Sequence, residues 1–182
     1  MHGYTADPSQ KWFPWITETL HRQNISVHIP AMPDPHHPDV AAWEAAAAEA
    51  IGQPDDNLVI VGHSLGCITT LRVLSALQKP WQLGGLIMVS GFDAPVPTLP
   101  TLDPFTTPAA VDYPQIRART QFRSVLTSNT DSIVPPQASA TLADHLGAVL
   151  QQVPNGGHFL DRQLPALLEH ITAAFQQSTQ PR

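Results

Sequence analysis

The chain has 182 residues, 42% hydrophobic and 13% charged, which is enough for one full-sized core and too little for a second independent one. Its formal net charge is -6 and its Lys and Arg total 9, scattered without a basic stripe, which argues against a nucleic-acid binder. Cys67 is the single cysteine, so no intrachain disulfide can form, and no run of about 18 apolar residues suggests a membrane span.

The first residues carry no basic segment followed by an apolar stretch, so no secretory leader is read. The expectation is one domain over residues 1–182, in the cytoplasm, as a monomer or weak homodimer.

Trp12, Phe13, Trp15, Ile16 and Leu20 recur at near-helical spacing, with Pro14 where a first turn tolerates it, which predicts a helix. Residues 25–30 (ISVHIP) alternate and are β-branched, the pattern of a strand. The proline-rich segment that follows must be loop. His36 and His37 lie there near Asp34 and Asp39, but adjacent histidines point apart and no H-x-x-x-H spacing occurs. They read as loop surface, and no metal is expected.

From Pro38 onward, Val40, Trp43, Ala47 and Ile51 share one helical face, and Gly52 can close that helix. Residues 57–63 (NLVIVGH) form a short continuous apolar run, as in a strand buried on both faces of a parallel sheet. A helix is expected over 65–77 and a second buried strand over 84–90. A long irregular stretch then carries Pro95, Pro97, Pro100, Pro104 and Pro108 as far as about Asp112. A strand over 122–129, a helix from Pro135 to about Leu146, a strand over 148–154 and an amphipathic helix over 163–177 complete the pattern.

Strands separated by helices imply βαβ crossovers and a mostly parallel sheet of about five strands, covered on both faces. Ligands bind such sheets at the C-terminal ends of the strands. Ser64, Asp131 and His158 all fall at such ends.

Ser64 stands in Gly62-His63-Ser64-Leu65-Gly66, between a strand and a helix. A serine hydroxyl is a weak nucleophile until a base takes its proton and donors stabilise the oxyanion. A tight strand-to-helix turn lifts Oγ out of the sheet, glycines leave room for it, and the Leu65 N–H is left at a helix N-terminus. Ser64, Asp131 and His158 follow one another in the order of the α/β-hydrolase arrangement. His158 would take the Ser64 proton, and Asp131 would hold the other ring nitrogen.

Asp93, also just past a strand, is the rival acid. Asp161 follows His158 too closely to reach the far side of its ring. His63 reads as a structural hydrogen-bonder and Cys67 as a buried thiol. Trp12, Trp15 and Trp43 read as packing, although Trp12 could line a pocket near the loop at 2–4.

Together with HGYTADPSQKWFPW, MPDPHHPDVAAW, VGHSLGC, SNTDSIVP and GGHF, taken in order, these residues make the chain resemble the small α/β-hydrolases of the retinoblastoma-binding protein 9 and YdeN type. The resemblance spans nearly the whole length. It implies an α/β-hydrolase-like three-layer sandwich and a serine hydrolase acting on small acyl esters, with no metal or organic cofactor. It carries Ser64 over as nucleophile, Asp131 as acid and His158 as base, with the N–H groups of Leu65 and Tyr4 as the oxyanion hole.

Two departures stand out. The hydrophobic strand that usually precedes the His-Gly loop does not stand before it here: either the sequence is shortened at its N-terminus or the domain works without that strand, and the loop is expected to be poorly anchored. An L-x-C-x-E segment is also absent: LGCIT has Thr69 at the acidic position, and a retinoblastoma-type partner is not supported. The partner expected is a small acyl substrate, with neither nucleic acid nor membrane. The proline-rich loop at about 91–114 is expected over the site, with Phe92, Leu99, Leu102 and Phe105 as an apolar acyl wall. The alternative function is a catalytically weak protein of the same fold that works as a binding or regulatory module.

Overall fold

Hydrophobic patterning decides the layers. The computed structural model describes residues 1–107 and 111–178, so Pro108 lies outside the described residues. Helices α1 (Phe13–His21) and α2 (Val40–Ile51) precede β1 (Val59–His63) and α3 (Leu65–Ala76). Strand β2 (Leu83–Val89) leads to a 3-10 turn at Pro100–Leu102, then to α4 (Asp103–Thr106) and α5 (Tyr113–Arg119). The chain finishes with β3 (Thr120–Ser128), α6 (Pro136–Leu146), β4 (Val149–Val153) and α7 (Pro165–Ser178).

The four strands form one parallel sheet in the order β1-β2-β3-β4. Sequential order with a single hand of crossover puts the connecting helices on one face. Alternation along the strands then divides two cores. Leu86, Met88 and Val125 face a cluster with Trp43, Leu71, Leu74 and Leu142 of α2, α3 and α6. Ile87, Val89 and Leu126 face the other side, against Phe13 and Ile16 of α1 and Leu167 and Ile171 of α7. Trp43 is fully buried and donates from Nε1 to the Pro33 carbonyl. Truncating such an aromatic to alanine typically costs about 3–5 kcal/mol.

Three expectations need correction. Residues 25–30 are not a strand: they run beside β1 without pairing with it. Among the described residues the sheet therefore has four strands instead of five. Between this segment and β1 lies an apolar slot of about 310 Å³, lined by Phe13, Ile16, Ile25, Val27, Ile29 and Val59 among others. At its upper end Met1 sits as a strand residue would. Its nitrogen donates to the Val61 carbonyl and its carbonyl accepts from His63 N–H, the pattern of a parallel bridge. Below that point, among the described residues, the N–H groups of Val59 and Val61 have no backbone partner.

The His-Gly loop is nevertheless well anchored, contrary to expectation. Besides the Met1 bonds, His2 Nε2 accepts from Met32 N–H at 3.0 Å, and Thr5 N–H donates to the Pro35 carbonyl at 2.8 Å. Local contacts are the loop's support.

The segment after β2 is also more ordered than its prolines suggest. Phe92, Leu102 and Phe105 are sealed in the core beside α2 and α3, so they fill the interior and do not form an acyl wall. Helix α5 was not expected, although Asp112 caps it by accepting from Gln115 N–H and Pro114 occupies its first turn. Among the described residues, no helix is long and apolar enough to cross a membrane.

Candidate active site

Ser64 occupies the junction of β1 and α3 with φ 53° and ψ -121°. A non-glycine residue there is strained by about 1–3 kcal/mol, which the surroundings must hold in place. The two flanking glycines explain how. A Cβ on Gly62 would lie 2.9 Å from the Cys67 Cα, and one on Gly66 would lie 2.6 Å from the Met1 carbonyl oxygen. Any side chain at either position would push α3 or the His-Gly loop away. Gly3 packs equally closely, since an added Cβ would stand 2.9 Å from Cβ of Ser64.

Asp131 follows β3 and is 7% exposed. Its Oδ1 accepts from the N–H groups of Ile133 and Val134, both at 2.9 Å. Its Oδ2 accepts from Ser90 Oγ at 2.6 Å and pairs with His158 Nδ1 at 2.9 Å. Burial alone would raise the carboxyl, but the bonds from His158 and Ser90, the nearby His158 and the Val134 N–H outweigh it. Asp131 is held below its usual range and stays ionised.

His158 follows β4 and is 8% exposed. With Nδ1 engaged by Asp131, its Nε2 is free to act. Its main chain is held from two directions. His63 Nε2 bonds the His158 carbonyl at 2.9 Å, and Trp12 Nε1 donates to the next carbonyl, that of Phe159, at 3.1 Å. Trp12 is therefore a tether for this loop and a packing residue at once. Phe159 itself has φ 53°.

A closed circuit results. Ser64 N–H donates to Val89, Ser90 follows Val89 and bonds Asp131, Asp131 bonds His158, and His158 is bonded by His63, the neighbour of Ser64. All three predicted residues are thus gathered at the C-terminal edge of the sheet. Ser64 Oγ itself makes no hydrogen bond among the described residues. The N–H groups of Leu65 and Tyr4 likewise have no protein partner there, and Gly3, the residue before Tyr4, packs against the serine.

The other candidates sort themselves. Asp93 is committed elsewhere: its Oδ2 accepts from Tyr113 Oη and pairs with His145 Nδ1 at 2.6 Å. Burial first, then the bond to Asp93, raises the Tyr113 phenol and keeps it protonated. Burial pushes the Cys67 thiol up to about 12, so it stays a thiol. Burial, followed by the adjacent His158, holds His63 well below its usual value, so it is neutral. Its Nε2 then carries the proton, and Nδ1 is a buried acceptor without a partner. His37 pairs with Asp34 at 3.4 Å on an exposed loop, and no group of three metal-ligating side chains gathers among the described residues. Sequence reasoning missed Ser90. Its signal was weak: a small polar residue directly after a buried apolar run.

The model of the family named Serine hydrolase matches residues 1–175. The YdeN protein of Bacillus subtilis strain 168 is 37% identical over 183 residues, covering 98% of this chain and 96% of that relative. The crystal structure of that gene product superposes with a TM-score of 0.92, covering 96% of each chain. At the level of fold alone, Est1E of Butyrivibrio proteoclasticus is similar, with a TM-score of 0.70 at 15% identity over 99% of this chain and 88% of that one. A structure from work on the metagenome-derived lipolytic enzymes LipS and LipT gives 0.71 at 15% identity, over 96% of this chain and 91% of that one.

Proposed function

The chain belongs to the serine hydrolase family and is a hydrolase of α/β-hydrolase fold, and on that premise we propose that it cleaves small carboxylic esters through Ser64, His158 and Asp131. Thioesters and amides share the same acyl chemistry and are the neighbouring substrate classes. The observation that carries this reading is the 2.9 Å pairing of His158 Nδ1 with an ionised, four-donor Asp131 carboxylate beside the strained Ser64 turn.

Ser64 Oγ attacks the acyl carbonyl while its proton passes to His158 Nε2. Asp131 holds the imidazole in the tautomer that accepts there and stabilises the imidazolium. The N–H groups of Leu65 and Tyr4 receive the oxyanion. Each such donor is typically worth on the order of 3 kcal/mol. The tetrahedral intermediate collapses, the leaving alcohol takes the proton from His158, and an ester on Ser64 remains. Water then attacks it with His158 as base, releasing the acid and restoring the hydroxyl. The Oγ–Nε2 hydrogen bond belongs to the class that tightens when substrate is bound.

The test is covalent labelling by a fluorophosphonate together with turnover of p-nitrophenyl acetate. Ser64→Ala should abolish labelling, and His158→Ala should lower turnover by orders of magnitude. Equal labelling of the wild-type and Ser64→Ala proteins would overturn the assignment.

A further inference from the structure

Ser90 is fully buried, directly follows β2, and has φ 46°. At such a φ glycine is favoured and any side chain is strained. Serine stands there all the same. Its backbone N–H donates to the Leu126 carbonyl at 2.9 Å, a bond glycine would make equally well. A hydroxymethyl group distinguishes the two, and its hydroxyl makes one bond, from Oγ to Asp131 Oδ2 at 2.6 Å.

That oxygen is the one His158 Nδ1 uses. With Oδ1 already fastened by the Ile133 and Val134 N–H groups, Ser90 supplies the last restraint on the carboxylate plane. It fixes Oδ2 where the His158 ring must meet it. It also adds a donor to a buried carboxylate, which favours the ionised form.

We infer that Ser90 is a positioning residue of the active site, acting through Asp131 to hold the His158 ring in its working orientation. The strain at φ 46° is retained because the hydroxyl must reach Oδ2 from that point. The inference rests on the triad reading and extends it to a residue that never touches substrate.

The decisive variant is Ser90→Gly, which relieves the backbone and deletes the whole hydroxymethyl group; Ser90→Ala, which deletes only the hydroxyl and keeps the strain, serves as a second variant. The kcat for p-nitrophenyl acetate should fall about tenfold in Ser90→Gly, with KM unchanged within about twofold, as expected for loss of one charge-assisted hydrogen bond. The thermal midpoint should stay close to wild type, since relief of strain offsets the lost bond. The ratio of wild-type to variant rate should grow as pH falls, because Asp131 with one donor fewer takes up a proton at higher pH than it does in the wild type. Ser64→Ala is assayed beside them. If Ser64→Ala is inactive while Ser90→Gly and Ser90→Ala keep the wild-type kcat and pH profile, the Ser90 inference is overturned and the triad stands. If Ser64→Ala keeps wild-type labelling, the triad reading fails and takes this inference with it.

Discussion

Nε2 of His63 lies 2.9 Å from the main-chain carbonyl oxygen of His158, so the residue before the nucleophile grips the backbone of the proposed base. The ring is set edge-on against Trp12 and Phe13, which leaves it little freedom. His63→Phe keeps the bulk and removes the bond. It should lower kcat about tenfold and stability by about 1–2 kcal/mol, because a buried carbonyl loses its donor. Parallel thermal melts and labelling rates would check this, and an unchanged labelling rate would count against the role.

Asp131 and Asp93 separate by partner. Asp131→Asn should cut turnover by about 10⁴-fold while the protein remains folded, as expected when an imidazole is held in the wrong tautomer. Asp93→Asn should leave turnover within about twofold and lower the thermal midpoint by a few degrees, since it ties Tyr113 and His145 together. The reverse ranking in a p-nitrophenyl acetate assay would make Asp93 the acid.

Burial lowers His2, His63 and His170 from their ordinary value of 6.5. The folded protein thus keeps these rings neutral, while the unfolded chain takes up protons once pH drops below about 6.5. Above that point neither state binds the protons and they contribute nothing. Stability should therefore fall steadily toward pH 5 as each ring's unfolded form charges, and the buried Met1 amino group, lowered from 8.0 to about 6, starts that fall already below about pH 8. Urea midpoints measured across that range test the sign directly.

Gly66 lies 2.6 Å from the Met1 carbonyl once a Cβ is added, and 2.7 Å from that of His2. Gly66→Ala must therefore displace the loop that carries the Tyr4 N–H. Its expected effect is a loss in kcat on the order of 10²-fold, the typical cost of losing one oxyanion donor. Circular dichroism should show the fold intact.

The open side of β1 makes a further prediction. Amide protons of Val59 and Val61 should exchange faster than those of Ile60 and Gly62, which face β2. Joining a strand of about six aliphatic residues ahead of Met1 should slow them and raise the thermal midpoint, because the slot offers both an unpaired edge and apolar walls. A Gly/Ser extension of equal length should do neither.

Much of this molecule was readable from local pattern. The apolar runs of β1 and β2 mark strands buried on both faces, the spacing of Val40, Trp43, Ala47 and Ile51 marks α2, and the glycines around Ser64 mark a turn that admits no side chain. These signals depend on neighbours within a few positions, so periodicity and sterics carry them. The order of Ser64, Asp131 and His158 carried the candidate site, because parallel strands deliver their ends to one edge.

Other features were settled only where distant segments met. Residues 25–30 have the composition of a strand, yet pairing needs a partner edge at hydrogen-bonding distance, and the slot beside β1 separates them. Phe92, Leu102 and Phe105 sit among prolines that suggest an exposed loop, yet they pack against α2 and α3. Asp93 and Asp131 look alike in sequence, and were told apart by whether His145 or His158 came within reach. Ser90 was invisible because its role depends on one hydroxyl meeting one carboxylate 41 residues away. Local propensity sets which elements form; the distances between elements, and so the partners of each polar group, come only from how the cores pack.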